Sequence, residues 1–187
     1  DWGSSNRDGA RQGPAQMREM SRLIRQTHFV TKMQPFKECR IADMGDAAVN
    51  PLDLMGSYDS IQNFVAEIVD SGALPLGVGG DHSITFPILR AFRAQHDNLT
   101  VVHIDAHPDL YDDLDGNPLS HASPFARALE AGCMTTLVQL GIRTATPHQR
   151  EQAAKWGVTM LSSRQLGEFD PSTLSGPIYL TIDLDGL

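Results

Sequence analysis

Residues 100–109, TVVHIDAHPD, restrict the possible fold more than any other stretch. Thr100 to Ile104 is short, apolar and rich in β-branched residues, which reads as a buried strand. It runs without a break into Asp105, His107 and Asp109, three potential metal ligands at alternate positions. In extended chain they would face one way but stand ~6–7 Å apart, at a rise of ~3.3 Å per residue, too far to share an ion. Pro108, between them, opposes continued ladder pairing. The chain is therefore expected to curl as it leaves the strand, folding two carboxylates and an imidazole around one point. A DxHxD triplet taken alone reads equally well as an acidic turn, so the rest of the chain must decide.

Strand and helix patterns alternate along the rest of the sequence. The polar, Gly-containing stretch at 6–14, NRDGARQGP, is expected to be a loop, with Pro14 opening a helix. Met17, Met20, Leu23 and Ile24 recur at helical spacing, so that helix should reach about Thr27 with its methionines in the core. A strand is expected over 39–45, then an acidic loop to Met55. Ile61, Phe64, Val65, Ile68 and Val69 mark one helix face, with Gly72 past its end. Residues 73–78 read as a second strand, which runs into Gly79-Gly80-Asp81-His82-Ser83, and a helix follows to about Gln95. After the central strand come helices ending near Ala131 and Trp156 and strands at 135–141, 158–161 and 178–182. The last strand leads into Asp183-Leu184-Asp185.

Such alternation implies βαβ units and a mostly parallel sheet with helices on both faces. Ligands bind such folds outside the carboxyl ends of the strands. His82, Asp105, His107, Asp109, Asp183 and Asp185 all fall at that edge, on three different strands. His103, inside the central strand, is expected to be a hydrogen-bonded core residue. Four clustered carboxylates would repel one another unless cations offset them. Oxygen-rich ligation with two imidazoles suits Mn²⁺ better than a zinc–thiolate site, although ligand type leaves Zn²⁺, Co²⁺ and Ni²⁺ open. Two such ions ~3.5–4 Å apart make a shared water acidic enough to hydrolyse an electrophilic carbon or phosphorus.

With 187 residues and 41% hydrophobic content, the chain can bury one sizeable core, so residues 1–187 are expected to form a single domain. No apolar run approaches a membrane span and no signal-like segment opens the chain, so a cytoplasmic protein is expected, with no membrane partner. Cys39 and Cys133 lack metal-type spacing and are expected to be reduced. A formal charge of −8 disfavours nucleic acid and favours a cationic substrate. Both ends read as cut from a longer sequence.

GGDHS, DAHPD, SHASPF and DLDGL, in this order and with NRDGARQGP before them, resemble the ureohydrolase family, the arginases and agmatinases that hydrolyse guanidino compounds to urea and an amine. The resemblance covers essentially the whole chain. It implies an α/β fold, a three-layer αβα sandwich, with two Mn²⁺ per subunit and a homo-oligomer, trimeric or hexameric. One ion would be held by His82, Asp105, Asp109 and Asp183, and the other by His107, Asp105, Asp183 and Asp185. Asp109 would also accept a hydrogen bond from the attacking hydroxide, and His121 would shuttle a proton or position substrate. The resemblance places the family's later carboxylate, which binds the guanidinium group, after the motifs matched here, so it would fall beyond Leu187.

The substrate signals conflict. SHAS after YDDLDGN resembles plant-type arginases, whereas NRDGARQGP and the segment around Val49-Asn50-Pro51 resemble agmatinases and guanidinobutyrases. An acidic site suits agmatine, whose second group is an amine. Arginine would need donors for its α-carboxylate, for which only Asn117 is a candidate. Agmatinase is thus the first reading, with arginase and then guanidinobutyrase behind it. A non-catalytic metal-binding or interaction protein is the reading from another class.

Overall fold

The computed structural model describes residues 3–5 and 9–187. In chain order these form α1 (Gly13–Ser21), α2 (Pro35–Glu38), α3 (Leu54–Asp70), α4 (Thr85–Arg93), β1 (Thr100–Ile104), α5 (Pro124–Glu130), β2 (Thr136–Ile142), α6 (Pro147–Trp156), β3 (Thr159–Ser162) and β4 (Ile178–Ile182). The strands make one sheet in the order β3-β2-β1-β4, parallel throughout. β1, the β-branched run, lies between β2 and β4, so every carboxyl end in the sheet points the same way.

Alternation of side chains along the strands divides the core in two. Val101 and Leu137 face Leu89 of α4, Phe125 of α5 and Ala153 of α6. Val102, Val138 and Leu140 face the opposite way, onto Leu161, Phe169 and Leu174. The sheet is therefore the middle of three layers, the third being the 3-10 turns and connecting chain of 163–174. Leu89, Val101 and Phe125 are wholly buried, each stabilising the fold by about 1.5–3 kcal/mol through lost apolar exposure. Ile61, Val65 and Val69 of α3 pack on Ile88 and Ala91 of α4, which extends the helical layer outward.

Local signals account for several boundaries. α6 starts at Pro147 behind a capping box made by Thr146 and Gln149, and Gly157 closes it in the left-handed conformation at φ 66°. Asp53 caps α3 by accepting the Gly56 amide at 2.9 Å, so that helix begins at Leu54, inside the expected loop. No helix among the described residues is long and apolar enough to cross a membrane. Cys39 is exposed, Cys133 is buried, and neither forms a disulfide.

Four expectations fail. Residues 39–45 and 73–78 form no strand, because a strand needs a neighbour to accept its ladder and the described sheet ends at β3 and β4. Leu74 and Leu76 are accordingly 96% and 90% exposed, and Ile178, Leu180 and Ile182 on the outer strand are half-exposed. α1 stops at Ser21 instead of Thr27. Its expected core face is also open, since Met17, Met20, Leu23 and Ile24 are all exposed. The helix is tethered by exposed ion pairs from Arg18 to Asp43 (2.7 Å) and Asp46 (2.8 Å), and short helices without apolar packing do not extend. In the 6–14 stretch, Asn6, Arg7 and Asp8 lie outside the described residues; the remainder makes a 3-10 turn at Ala10–Gln12 and enters α1.

Candidate metal centre

Three chain segments meet at the carboxyl edge of the sheet. At the exit of β1, Asp105 is 1% exposed, and its Oδ1 accepts the backbone N–H of His107 at 2.6 Å, which bends the chain as the Pro108 argument requires. The bend continues to Asp109, buried and in the left-handed region at φ 49°. That conformation is strained for most residues and tolerated best by Asp and Asn outside glycine. At the exit of β4, Asp183 Oδ1 accepts the Asp185 N–H at 3.1 Å, starting a 3-10 turn, and Asp185 Oδ1 accepts the Ala106 N–H at 3.2 Å. Gly186 makes this approach possible: a Cβ there would lie 2.8 Å from both the Cα and N of Asp105. From the third segment, Asp81 accepts the Ser83 N–H at 3.0 Å and begins the turn that carries His82.

Asp105 faces a different histidine with each carboxylate oxygen. His82 Nδ1 lies 3.4 Å from Oδ2, and 2.8 Å from Asp109 Oδ2. His107 Nδ1 lies 3.4 Å from Oδ1, and 3.1 Å from Asp185 Oδ2. The ligand atoms of Asp105, His107 and Asp185 fall within 4.8 Å of one another, as do those of His82, His103 and Asp105. His103 stands behind this cluster, with Nε2 at 2.8 Å from Asp105 Oδ2 and Nδ1 at 3.1 Å from the Gln139 side chain. It is the hydrogen-bonded core histidine expected of its position.

All six candidate ligands line one cavity of about 500 Å³, together with His121. Asp183 is on its wall with one oxygen turned to the Asp185 amide. His121 is fastened to Gly3, with its backbone N–H at 3.1 Å from the Gly3 carbonyl and its Nδ1 on the same oxygen. Asn117 is not among the lining residues; its Oδ1 accepts the Leu119 N–H at 3.0 Å and holds its own loop.

Charge is unevenly compensated here. Burial alone would raise the Asp105 carboxyl, but hydrogen bonds from His103 and His82 outweigh it and hold the group well below the usual carboxylate range. For His82, burial opposes the charged form, yet Asp105 and Asp109 push its pKa up to about 10. His103 is pushed down, chiefly by burial. Burial, followed by the charges of Asp105 and Asp183, raises Asp185. The carboxylates crowd one another around these rings, and this oxygen-rich, imidazole-containing donor set fits divalent cations.

The sequence reading omitted Asp81, Tyr111, Leu114, Thr144 and Gln149 from the cavity wall. It also omitted Thr181, whose Oγ1 lies 3.1 Å from His82 Nε2. Thr181 is two residues before Asp183 and so on the same strand face, a period-two signal that points to it. Nothing comparable marks Gln149, which reaches the cavity from the first turn of α6.

Comparison with known proteins places the chain. The arginase family model matches residues 1–187. A guanidinopropionase of Pseudomonas aeruginosa is 39% identical over all of this chain and 63% of its own length. The mitochondrial agmatinase of Gallus gallus is 36% identical over all of this chain and 59% of its own. The crystal structure of a hypothetical agmatinase from Burkholderia thailandensis superposes with a TM-score of 0.82 at 28% identity, covering 96% of this chain and 59% of that one. The chain thus spans about three fifths of the length of the curated relatives it matches. With the motifs, the parallel sheet and the strand-tip cluster all in agreement, the chain belongs to the arginase family.

Proposed function

We propose that the protein is a ureohydrolase that cleaves a guanidino C–N bond of a small substrate, releasing urea and an amine, with two Mn²⁺ as its cofactors. The observation that carries this reading is Asp105, which offers one oxygen to the His82–Asp109 side and the other to the His107–Asp185 side of a single cavity. His82, Asp105, Asp109 and Asp183 would hold one ion, and His107, Asp105, Asp183 and Asp185 the other. When bound, the ions offset the carboxylates and supply a water acidic enough to attack at neutral pH.

The chain's own groups do the rest. Asp109 accepts a hydrogen bond from the nucleophile and orients it toward the planar guanidinium carbon. His121, on the opposite loop, carries a proton to the departing amine. Tyr111, Leu114 and Ala122 give the substrate's aliphatic arm a partly apolar wall. Asp81 adds a carboxylate to that wall, and none of the described lining residues is Lys or Arg. The formal charge of −8 and the carboxylates of the cavity suit a substrate whose far end is an amine, and we assign agmatine, converted to putrescine. The 39% identical guanidinopropionase supports a second reading, an ω-guanidino acid such as guanidinopropionate or guanidinobutyrate; arginine follows.

The same reading makes residues 1–187 part of one ureohydrolase domain, acting in the cytoplasm as a homo-oligomer of three or six subunits. Urea release from agmatine, arginine, 3-guanidinopropionate and 4-guanidinobutyrate by full-length protein with added Mn²⁺ tests the assignment. Agmatine should give the highest kcat/KM. A guanidino acid in first place would transfer the assignment to the second reading. No urea from any of them would overturn the hydrolase in favour of a non-catalytic binding protein.

A further inference from the structure

A polar row crosses the sheet one layer beneath the cavity. His103 on β1 is in register with Gln139 on β2 and Thr181 on β4. His103 and Gln139 are wholly buried. Gln139 Nε2 lies 2.6 Å from the Pro108 carbonyl and 3.1 Å from His103 Nδ1, while its Oε1 has no partner among the described residues.

Hydrogen-bond chemistry fixes the orientations of Gln139 and His103 in this row. The Pro108 carbonyl only accepts, so the atom 2.6 Å from it must be the amide NH₂. Flipping the amide would oppose two acceptors at that distance. The second amide hydrogen then points to His103 Nδ1, which must be the accepting nitrogen. The ring proton is left on Nε2, 2.8 Å from Asp105 Oδ2. Asp105, as a carboxylate, requires a donor at that spot. Both ends of the row thus demand the same tautomer of His103.

We propose that Gln139 is a positioning residue of the metal centre: it locks His103 as the Nε2–H tautomer that orients Asp105, and it pins the Pro108 carbonyl between His107 and Asp109. This assignment rests on the metal-centre reading above and adds residues behind the ligands to it. It also explains a buried amide with an unpartnered oxygen, at a position where leucine would fill the space without leaving a polar atom unsatisfied. Second partners of this kind hold metal ligands in the conformation that binds.

Nitrogen-15 NMR of histidine-labelled, metal-free full-length protein reads the tautomer directly, with His103 assigned by its loss in His103→Asn. Wild type should show Nε2 protonated and Nδ1 bare. Gln139→Glu keeps the shape and, when ionised, can only accept, so Nδ1 should then become protonated. Gln139→Leu should keep the Nε2 proton that Asp105 holds but leave Nδ1 without its amide donor, moving the Nδ1 resonance to that of an unbonded nitrogen. Mn²⁺ titration of both variants should show affinity lowered about 10- to 100-fold, with circular dichroism like that of wild type. A wild-type His103 protonated at Nδ1, or folded variants whose Mn²⁺ affinity stays within about twofold of wild type, would overturn the proposal. If neither variant folds, the wild-type Nδ1 resonance decides, because without the shift of a hydrogen-bonded acceptor the Gln139 contact does not exist. Wild-type protein that binds no Mn²⁺ would sink the metal-centre reading instead, and the Nδ1 resonance would still report on Gln139.

Discussion

His107 Nδ1 stands 3.1 Å from Asp185 Oδ2, with both side chains about half-exposed, whereas His82 and Asp109 meet at 2.8 Å with less than a tenth of either exposed. One side of the cluster is sheltered and the other is open to solvent. A chelator should therefore strip Mn²⁺ in two phases, the ion beside His107 and Asp185 first. Stopped-flow release into a fluorescent chelator would show both phases, and a single phase would contradict this division. His107→Ala and Asp183→Asn should lose metal and activity together, visible as reduced Mn²⁺ stoichiometry by elemental analysis.

His121 is on the cavity wall but outside the ligand cluster. Its replacement by alanine should keep both ions and lower kcat by about 10²- to 10⁴-fold, the range of a lost proton-transfer group. If His121→Ala abolished Mn²⁺ binding, the division between ligands and proton carrier would be wrong.

Gly186 allows the exit of β4 to lie against Asp105, where an added Cβ would meet backbone at 2.8 Å. Gly186→Ala should destabilise the protein by about 1–3 kcal/mol, and the melting temperature should fall in the metal-free state too. An unchanged melting temperature would mean that the two strand exits can separate without penalty.

Tyr58 of α3 anchors the loop before His121, its hydroxyl donating to the Leu119 carbonyl at 2.9 Å. Burial pushes the phenol up to about 12 from its ordinary value of 10.0. Because the folded pKa is the higher one, the stabilisation is fully present below pH 10 and disappears as pH rises toward 12. Tyr58→Phe should remove about 1 kcal/mol at neutral pH. Urea unfolding should show the gap between wild type and variant shrinking over that alkaline window.

The strand tips were legible because their chemistry is local. Asp105, His107 and Asp109 follow an unmistakable buried strand, and a parallel sheet carries all such exits to one edge. α6 was equally plain, with Pro147 at its start and Gly157 past its end. Pairing, by contrast, belongs to neighbours: residues 73–78 have strand composition but no adjoining ladder among the described residues. Met17 and Met20 have helical periodicity but no surface to cover among the described residues. The row joining Thr181, His103 and Gln139 depends on strand register, which no single segment encodes.

Gly3, Ser4 and Ser5 have an importance that their small side chains conceal. His121 hangs on the Gly3 carbonyl, and both serines border the same cavity as the six candidate ligands. Substitutions at these three residues would consequently reach the cavity that holds His121 while leaving the sheet untouched.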